Sequence, residues 1–353
     1  MEVNKLLRKN IKLMDAYASA RSEYQGDASI WLDANENPFA DGFNRYPDPL
    51  QRELKEQVGR IRMVPAGNIF LGNGSDEAID LLMRAFCEPG KDNVMLFPPT
   101  YGMYRVTAAV NNIQIKEVPL NERMQPDVDA AINGIDAGTK ILFFCSPNNP
   151  TGNLIDRSSI LELAERFRGL VVVDEAYIDF AGPGSSLLPL LAKYPNLVIL
   201  QTFSKAWGMA ALRLGMAFAS TFIIGVLNRI KLPYNIGLAT QQLAMKALED
   251  KAQVDAWIEM TIRLRHELMK GLSFFRCVLK IFPSDANFLL VKVRDADVLY
   301  DFLLSKKIVV RKRSGIAGCE HCLRITIGTQ QEQELLLAAI RIYDDAEFTN
   351  SIT

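Results

Sequence analysis

Lys205 is the residue on which covalent chemistry could be built. It stands in residues 197–228, a stretch of 32 residues whose only charges are Lys205 and Arg213, in a chain that is 23% charged. Residues 197–200 (L-V-I-L) form a short apolar run rich in branched side chains, the pattern of a buried parallel strand. An amine at the end of such a strand is expected to be desolvated rather than free on the surface. Burial disfavours the ammonium and lowers the lysine pKa, which is what a Schiff-base amine requires. Thr202 and Ser204 add hydroxyls, and Arg213 adds a fork suited to a phosphate. Ala206, Gly208, Ala210, Ala211 and Gly215 are small enough for a flat ligand to approach the backbone. The plainer alternative is a strand, turn and helix whose two cations extend their heads to water.

Other residues offer complementary chemistry. Asp174 ends the apolar run 170–173 and opens D-E-A-Y, which continues to Tyr177. An acid there costs free energy unless it has a partner; the alternative is an N-cap for the next helix. Asn149 lies in S-P-N-N-P-T-G, directly after the apolar run 140–145, at the carboxyl edge of a parallel sheet where such folds bind ligands. In G-N-G-S-D-E (72–77) a glycine turn joins a strand to a helix start, so backbone N–H groups and the helix dipole make an anion site. Ser75 or Asp76 is the expected N-cap. Tyr101, in P-P-T-Y-G-M-Y, is equally a ring for stacking on a planar ligand or a core or lid tyrosine. A-N-E-N-P (34–38) reads as a polar connector, and the prolines of N-R-Y-P-D-P (44–49) stop any helix before 50–58.

These residues need a scaffold. Strands are predicted at 68–71, 93–97, 113–118, 140–145, 170–173 and 197–200, alternating with helices. That alternation implies an α/β fold with a mostly parallel sheet between helices. Residues 30–33 could add a short strand. Residues 241–272 read as one long helix or a broken pair, followed by strands at 287–293, 308–313 and 323–327 and helices at 297–305 and 333–343, a small α+β domain. The expected organisation is an N-terminal arm (1–29), a large domain (30–235), and an interdomain helix with the small C-terminal domain (236–353).

The totals exclude several classes. With 353 residues, 40 basic against 41 acidic side chains and a net charge of −1, the chain shows no basic face for nucleic acid or a membrane surface. No apolar run is long enough for a membrane span, and Met1 begins a polar segment unlike a signal peptide. Five cysteines, an odd number, imply free thiols in a reducing cytoplasm. Cys319 and Cys322 form a lone C-x-x-C, and with only two histidines neither a metal site nor a His-centred triad is expected.

Pyridoxal phosphate asks of its protein an amine, an acid for the pyridinium nitrogen, donors to the ring oxygen, an aromatic cover and a phosphate cup. Lys205, Asp174, Asn149 with Tyr177, Tyr101, and the set Ser75, Asp76, Thr202, Ser204 and Arg213 supply them. The motifs A-N-E-N-P, N-R-Y-P-D-P, G-N-G-S-D-E, P-P-T-Y-G-M-Y, S-P-N-N-P-T-G, V-V-D-E-A-Y, T-F-S-K-A-W-G-M-A-A-L-R-L-G and C-L-R-I-T-I-G-T follow one another in this order. In that order they resemble the fold type I pyridoxal-phosphate-dependent aminotransferases, and among these the branch acting on histidinol phosphate, over nearly the whole chain.

The resemblance implies that Lys205 holds the cofactor and shuttles the proton between the substrate Cα and cofactor C4′. Asp174 would keep the ring nitrogen protonated, Asn149 and Tyr177 would bond the ring oxygen, and Tyr101 would stack. Tyr46 would reach the cofactor phosphate of a neighbouring subunit, implying a homodimer with shared sites. Arg324 in C-L-R-I-T-I-G-T would meet the substrate's acidic end, with Arg311, Asn149 and Tyr17 beside it, while Arg313 reads as a solvated basic edge. The implied reaction is transamination of L-histidinol phosphate with 2-oxoglutarate, giving imidazole acetol phosphate and L-glutamate, in cytoplasmic histidine biosynthesis. Aromatic amino acid transamination, threonine-phosphate decarboxylation and a non-catalytic cofactor sensor are the alternatives. Lys312, where the family is often acidic, and Gln333, where it usually has asparagine, depart from the pattern.

Overall fold

The computed structural model describes residues 3–15, 24, 28–40 and 42–349. Strands β1 (Ile69–Asn73), β2 (Asn93–Leu96), β3 (Gln114–Glu117), β4 (Thr139–Cys145), β5 (Leu170–Asp174), β6 (Leu197–Thr202) and β7 (Leu214–Phe218) form one sheet in the order β1-β7-β6-β5-β4-β2-β3. β3, β2, β4, β5 and β6 are mutually parallel, and β7 runs antiparallel to both β6 and β1. β5 and β6 are buried at every position. Burial on both faces is why their sequences read as continuous apolar runs rather than as alternation.

Alternate side chains feed two cores. Leu142, Val171, Val173, Leu197 and Ile199 pack with Leu54, Val58, Ile160 and Leu163 of the helices Arg52–Arg62 and Arg157–Arg166. Val94, Phe143, Val172, Val198 and Leu200 pack on the other face with Ile79, Leu82 and Phe86 of helix Gly74–Phe86 and Ile223 and Leu227 of helix Thr221–Ile230. The sheet is therefore held rigid from both sides, and its carboxyl edge is a fixed platform.

Beyond it, helices Leu238–Glu249 and Lys251–Leu272 meet at Asp250, so the broken pair is the form adopted. Strands β8 (Val278–Ile281), β9 (Phe288–Val293), β10 (Arg311–Lys312) and β11 (Cys322–Thr326) make a second, wholly antiparallel sheet in the order β10-β11-β9-β8. Leu289, Val291, Leu323 and Ile325 form its core with Leu299 of helix Ala296–Ser305 and Ile340 of helix Gln330–Thr349. Two expected strands change. Residues 30–33 form none, and Ile30 and Leu32 stand 74% and 90% exposed, since an apolar run without a neighbouring strand has no ladder to join. The run 308–313 is a strand only over Arg311–Lys312, with one further bond from the Arg313 N–H to Cys322, while the Ile308 N–H is donated to Leu303 at the end of the preceding helix.

Candidate active site

The carboxyl ends of β4, β5 and β6 open onto a cleft, the place where parallel sheets bind ligands. Into it come Asn149 from the loop after β4, Asp174 at the end of β5 with Tyr177 just beyond it, and Thr202 at the end of β6 with Ser204 and Lys205 of the following turn. Arg213, Ser75, Asp76 and Tyr101 complete the wall. Ten of the residues singled out from the sequence therefore meet in one place.

Lys205 lies in the turn between β6 and β7, where Gly208 donates to the Lys205 carbonyl at 3.1 Å and Met209 to that of Phe203 at 3.0 Å. Its side chain is open to the cavity, not enclosed in the sheet as its apolar neighbourhood implied. Desolvation by the surrounding walls nonetheless lowers its pKa, with Arg324 adding repulsion and Asp174 opposing both. The Nζ stands 5.4 Å from the centre of the Tyr177 ring.

Asp174, the last residue of β5, is buried, and burial pushes its pKa up to about 6. It caps no helix. Its Oδ1 accepts from the Ala176 N–H at 3.1 Å and its Oδ2 from the Tyr104 hydroxyl at 3.0 Å. Tyr104 went unrecognised in the sequence. It is fully buried, stacked on Phe143 with ring centres 5.0 Å apart, and edge-on to Tyr101 at 5.4 Å. Burial and Asp174 raise its pKa well above the usual tyrosine range, so it stays a neutral donor. Its spacing three residues after Tyr101 was the available signal.

Asn149 is buried, in a loop anchored by Asn148, which donates to Pro99 at 2.8 Å and Thr151 at 2.7 Å. Its Oδ1 accepts from Arg324 Nη1 at 2.6 Å, which leaves the amide Nδ2 to face a ligand. Tyr177 is held edge-on by Phe288, 5.1 Å away, and burial raises its pKa.

At the opposite end, helix Gly74–Phe86 begins one turn earlier than a Ser75 or Asp76 cap would place it. Asn73 occupies the cap without a side-chain bond, so Ser75 and Asp76 lie in the first turn, where N–H groups lack partners within the helix. Gly74 has φ +74° and donates to the Arg213 carbonyl at 2.6 Å. Arg213, itself at φ +52°, reaches Asp76 Oδ2 at 3.4 Å and Ser204 Oγ at 3.5 Å. The Tyr101 hydroxyl donates to Asp76 Oδ1 at 3.2 Å. Gly215 permits this close approach, since a Cβ there would lie 2.1 Å from the Ser75 nitrogen.

The second sheet meets the cavity wall through Arg324, bonded to Asn149. Arg311 faces Arg324 across the β10–β11 ladder, and the Arg324 guanidinium lies 5.2 Å from the Phe288 ring centre. Arg313 is half-buried, not the solvated edge expected of it. Lys312 projects from the opposite face, bonded to Asp297 at 2.6 Å, and so lies away from the site. Gln333 is buried in the first turn of its helix, donating to Gly328 at 3.4 Å. Tyr46 stacks on Tyr234 at 4.4 Å and is absent from the wall of its own chain's cavity. Tyr17 lies outside the described residues. Among the described residues no group of three His, Cys, Asp or Glu is placed to hold a metal ion.

Residues 21–340 match the family described as aminotransferase class I and II. The chain belongs to that family. Among curated aminotransferases it is 50% identical to the histidinol-phosphate aminotransferase of Cytophaga hutchinsonii over 97% of this chain and 99% of that one. It is 51% identical to the enzyme of the same name from Parabacteroides distasonis over 96% and 98%. Among solved aminotransferase structures, the histidinol-phosphate aminotransferase of Clostridium acetobutylicum superposes with a TM-score of 0.80 at 25% identity, covering 86% of this chain and 92% of that one. That of Sinorhizobium meliloti, in complex with pyridoxal-5'-phosphate, gives 0.78 at 22% identity, covering 88% and 90%, a likeness of fold.

Proposed function

We propose that this aminotransferase moves the amino group of L-histidinol phosphate to 2-oxoglutarate, giving imidazole acetol phosphate and L-glutamate, with pyridoxal phosphate as cofactor in histidine biosynthesis. The observation that carries the reading is a lysine amine of lowered pKa, a buried carboxylate and an arginine beside a helix start, Lys205, Asp174 and Arg213, in one cavity. Relatives of that name at about half identity over nearly the whole chain support the substrate.

The cavity fits the cofactor. Asp174 is a buried acid whose oxygens are met only by neutral donors, suited to a protonated ring nitrogen. Gly215 and the positive φ of Gly74 bring a helix start and Arg213 to one point, suited to a phosphate. When bound, pyridoxal phosphate supplies an aldehyde for amines and a ring that draws electrons from the substrate Cα. Ser75, Asp76, Thr202, Ser204 and Arg213 would hold its phosphate, Tyr101 would cover the ring, and Asn149 Nδ2 and the Tyr177 hydroxyl would donate to the ring oxygen. Lys205 Nζ would be its attachment point and the base that moves the proton at the substrate Cα, which its lowered pKa favours. Arg324 binds the substrate's anionic end, with Arg311 and Tyr17 beside it, and the same forks take the carboxylate of glutamate.

The division into an arm (1–29), a large domain (30–235) and an interdomain helix with the small domain (236–353) belongs to this reading. The enzyme acts in the cytoplasm as a homodimer in which Tyr46 serves the partner's cofactor phosphate. Leu32, Phe39 and Phe43, 90%, 94% and 71% exposed near Tyr46, supply an apolar surface for that contact. Steady-state assays of purified holoenzyme test the reaction: histidinol phosphate and 2-oxoglutarate should give parallel double-reciprocal lines. Absence of turnover rejects the substrate, and release of CO₂ from threonine phosphate would redirect the reading to a decarboxylase.

A further inference from the structure

Three arginines lie together on one face of the second sheet without an acid to balance them, and one of them, Arg324, reaches Asn149 in the cavity wall. Arg311 and Arg324 are directly opposed in the β10–β11 ladder. The ladder runs one step further, since the Arg313 N–H donates to the Cys322 carbonyl at 2.9 Å. Side chains two apart on an extended strand share a face, so Arg313 joins Arg311 and Arg324, whereas Lys312 points away to Asp297. None of the three arginines has a carboxylate partner among the described residues, and the buried Nε atoms of Arg313 and Arg324 have no hydrogen-bond acceptor. Burial depresses the pKa of Arg313, Arg324 and Arg311 depress it further, and Arg313 and Arg324 in turn act on the Tyr177 phenol inside the cavity. A cluster of like charges with idle donors is relieved by an anion, more so by a dianion than by a monoanion.

Building on the function proposed above, we infer that Arg313 is a specificity-determining residue that binds the substrate's phosphate and separates a phosphomonoester from a carboxylate. A carboxylate presents two oxygens, which the Arg324 fork satisfies with Arg311 beside it. A phosphomonoester presents three terminal oxygens and a second charge, set one ester bond further out, and Arg313 with Arg311 provides donors and charge for the remainder. Arg313 therefore contributes to histidinol phosphate binding and little to glutamate binding.

Half-reactions of the holoenzyme with each amino donor, together with inhibition by inorganic phosphate, test this. In Arg313→Gln the ratio of kcat/KM for histidinol phosphate over that for glutamate should fall about tenfold or more, carried by KM, as for loss of a charge-assisted hydrogen bond. Arg313→Lys, keeping charge without the fork, should recover part of the ratio. In the wild-type holoenzyme inorganic phosphate should compete with histidinol phosphate far better than acetate does, a measurement that needs no variant. Equal losses toward both donors, an unmoved ratio, or phosphate no better than acetate would overturn the role of Arg313. Wild-type enzyme inert toward histidinol phosphate would instead defeat the function itself, whatever the variants do.

Discussion

At the scale of single residues, the site depends on where protons reside. Lys205 has its charged form disfavoured by desolvation and by Arg324, so its amine gives up its proton more readily than a surface lysine does. Lys205→Ala should keep the fold and bind pyridoxal phosphate non-covalently, while kcat falls by about 10³ or more, since anchoring and proton transfer vanish together. Turnover assays and borohydride trapping check both halves. Tyr104 acts on Asp174 and not on substrate, so it is a positioning residue. Its hydroxyl supplies the bond that partly offsets the burial-driven rise of the Asp174 pKa. Tyr104→Phe should weaken pyridoxal phosphate binding about tenfold, the scale of one hydrogen bond to a charged group, and equilibrium dialysis measures it. Unaltered affinity would mean that the ring only fills the core. Lys205 and Asp174 were legible in the sequence because each interrupts or ends an apolar run. Tyr104 and Arg313 were not, since a tyrosine in a helical apolar pattern and an arginine beside another basic residue look the same whether they serve the site or the surface.

At the scale of elements, the strands that carry the site were legible from their continuous apolar runs, whereas β7 was not. Its L-G-M-A-F follows β6 through a turn that folds the chain back, so it pairs antiparallel and shows no helix-spaced interval. The glycine in it has a positional cause visible only in three dimensions. A Cβ on Gly215 would lie 2.1 Å from the Ser75 nitrogen and 2.3 Å from the Gly74 carbonyl carbon, both backbone atoms that cannot swing aside. Gly215→Ala should therefore cost about 3 kcal/mol or more, as overpacking of a filled core does, and should loosen the phosphate cup with it. Gly225, inside helix Thr221–Ile230, has nothing within 4 Å of a added Cβ. Gly225→Ala should stabilise by up to about 1 kcal/mol through helix propensity alone. Urea denaturation of the two variants measures both signs, and equal effects would remove the packing argument.

At the scale of the whole molecule, the cofactor completes a fold that holds acids under strain. Burial raises Asp174 to about 6 and Glu175 to about 7, although Glu175 accepts bonds from Ser186, Leu187 and Gln201. Both folded values lie above those of the unfolded chain, so between them the folded state binds more protons, and the contribution of each group to stability falls as pH rises. For Asp174 the loss begins near the ordinary aspartate value of 3.8 and is complete above about 6. A rise of about two units corresponds to roughly 3 kcal/mol. Asp174→Asn keeps an acceptor for the Tyr104 hydroxyl and removes the titration. Cofactor-free Asp174→Asn should then be more stable than cofactor-free wild type at pH 7.5 by roughly that amount, with the two converging toward pH 4. In the holoenzyme a protonated ring nitrogen gives the wild-type carboxylate its counter-charge, so the advantage of the variant should shrink or reverse. Denaturation of both proteins at the two pH values, with and without pyridoxal phosphate, separates these contributions. A stability difference independent of pH would show that Asp174 does not carry the strain assigned to it.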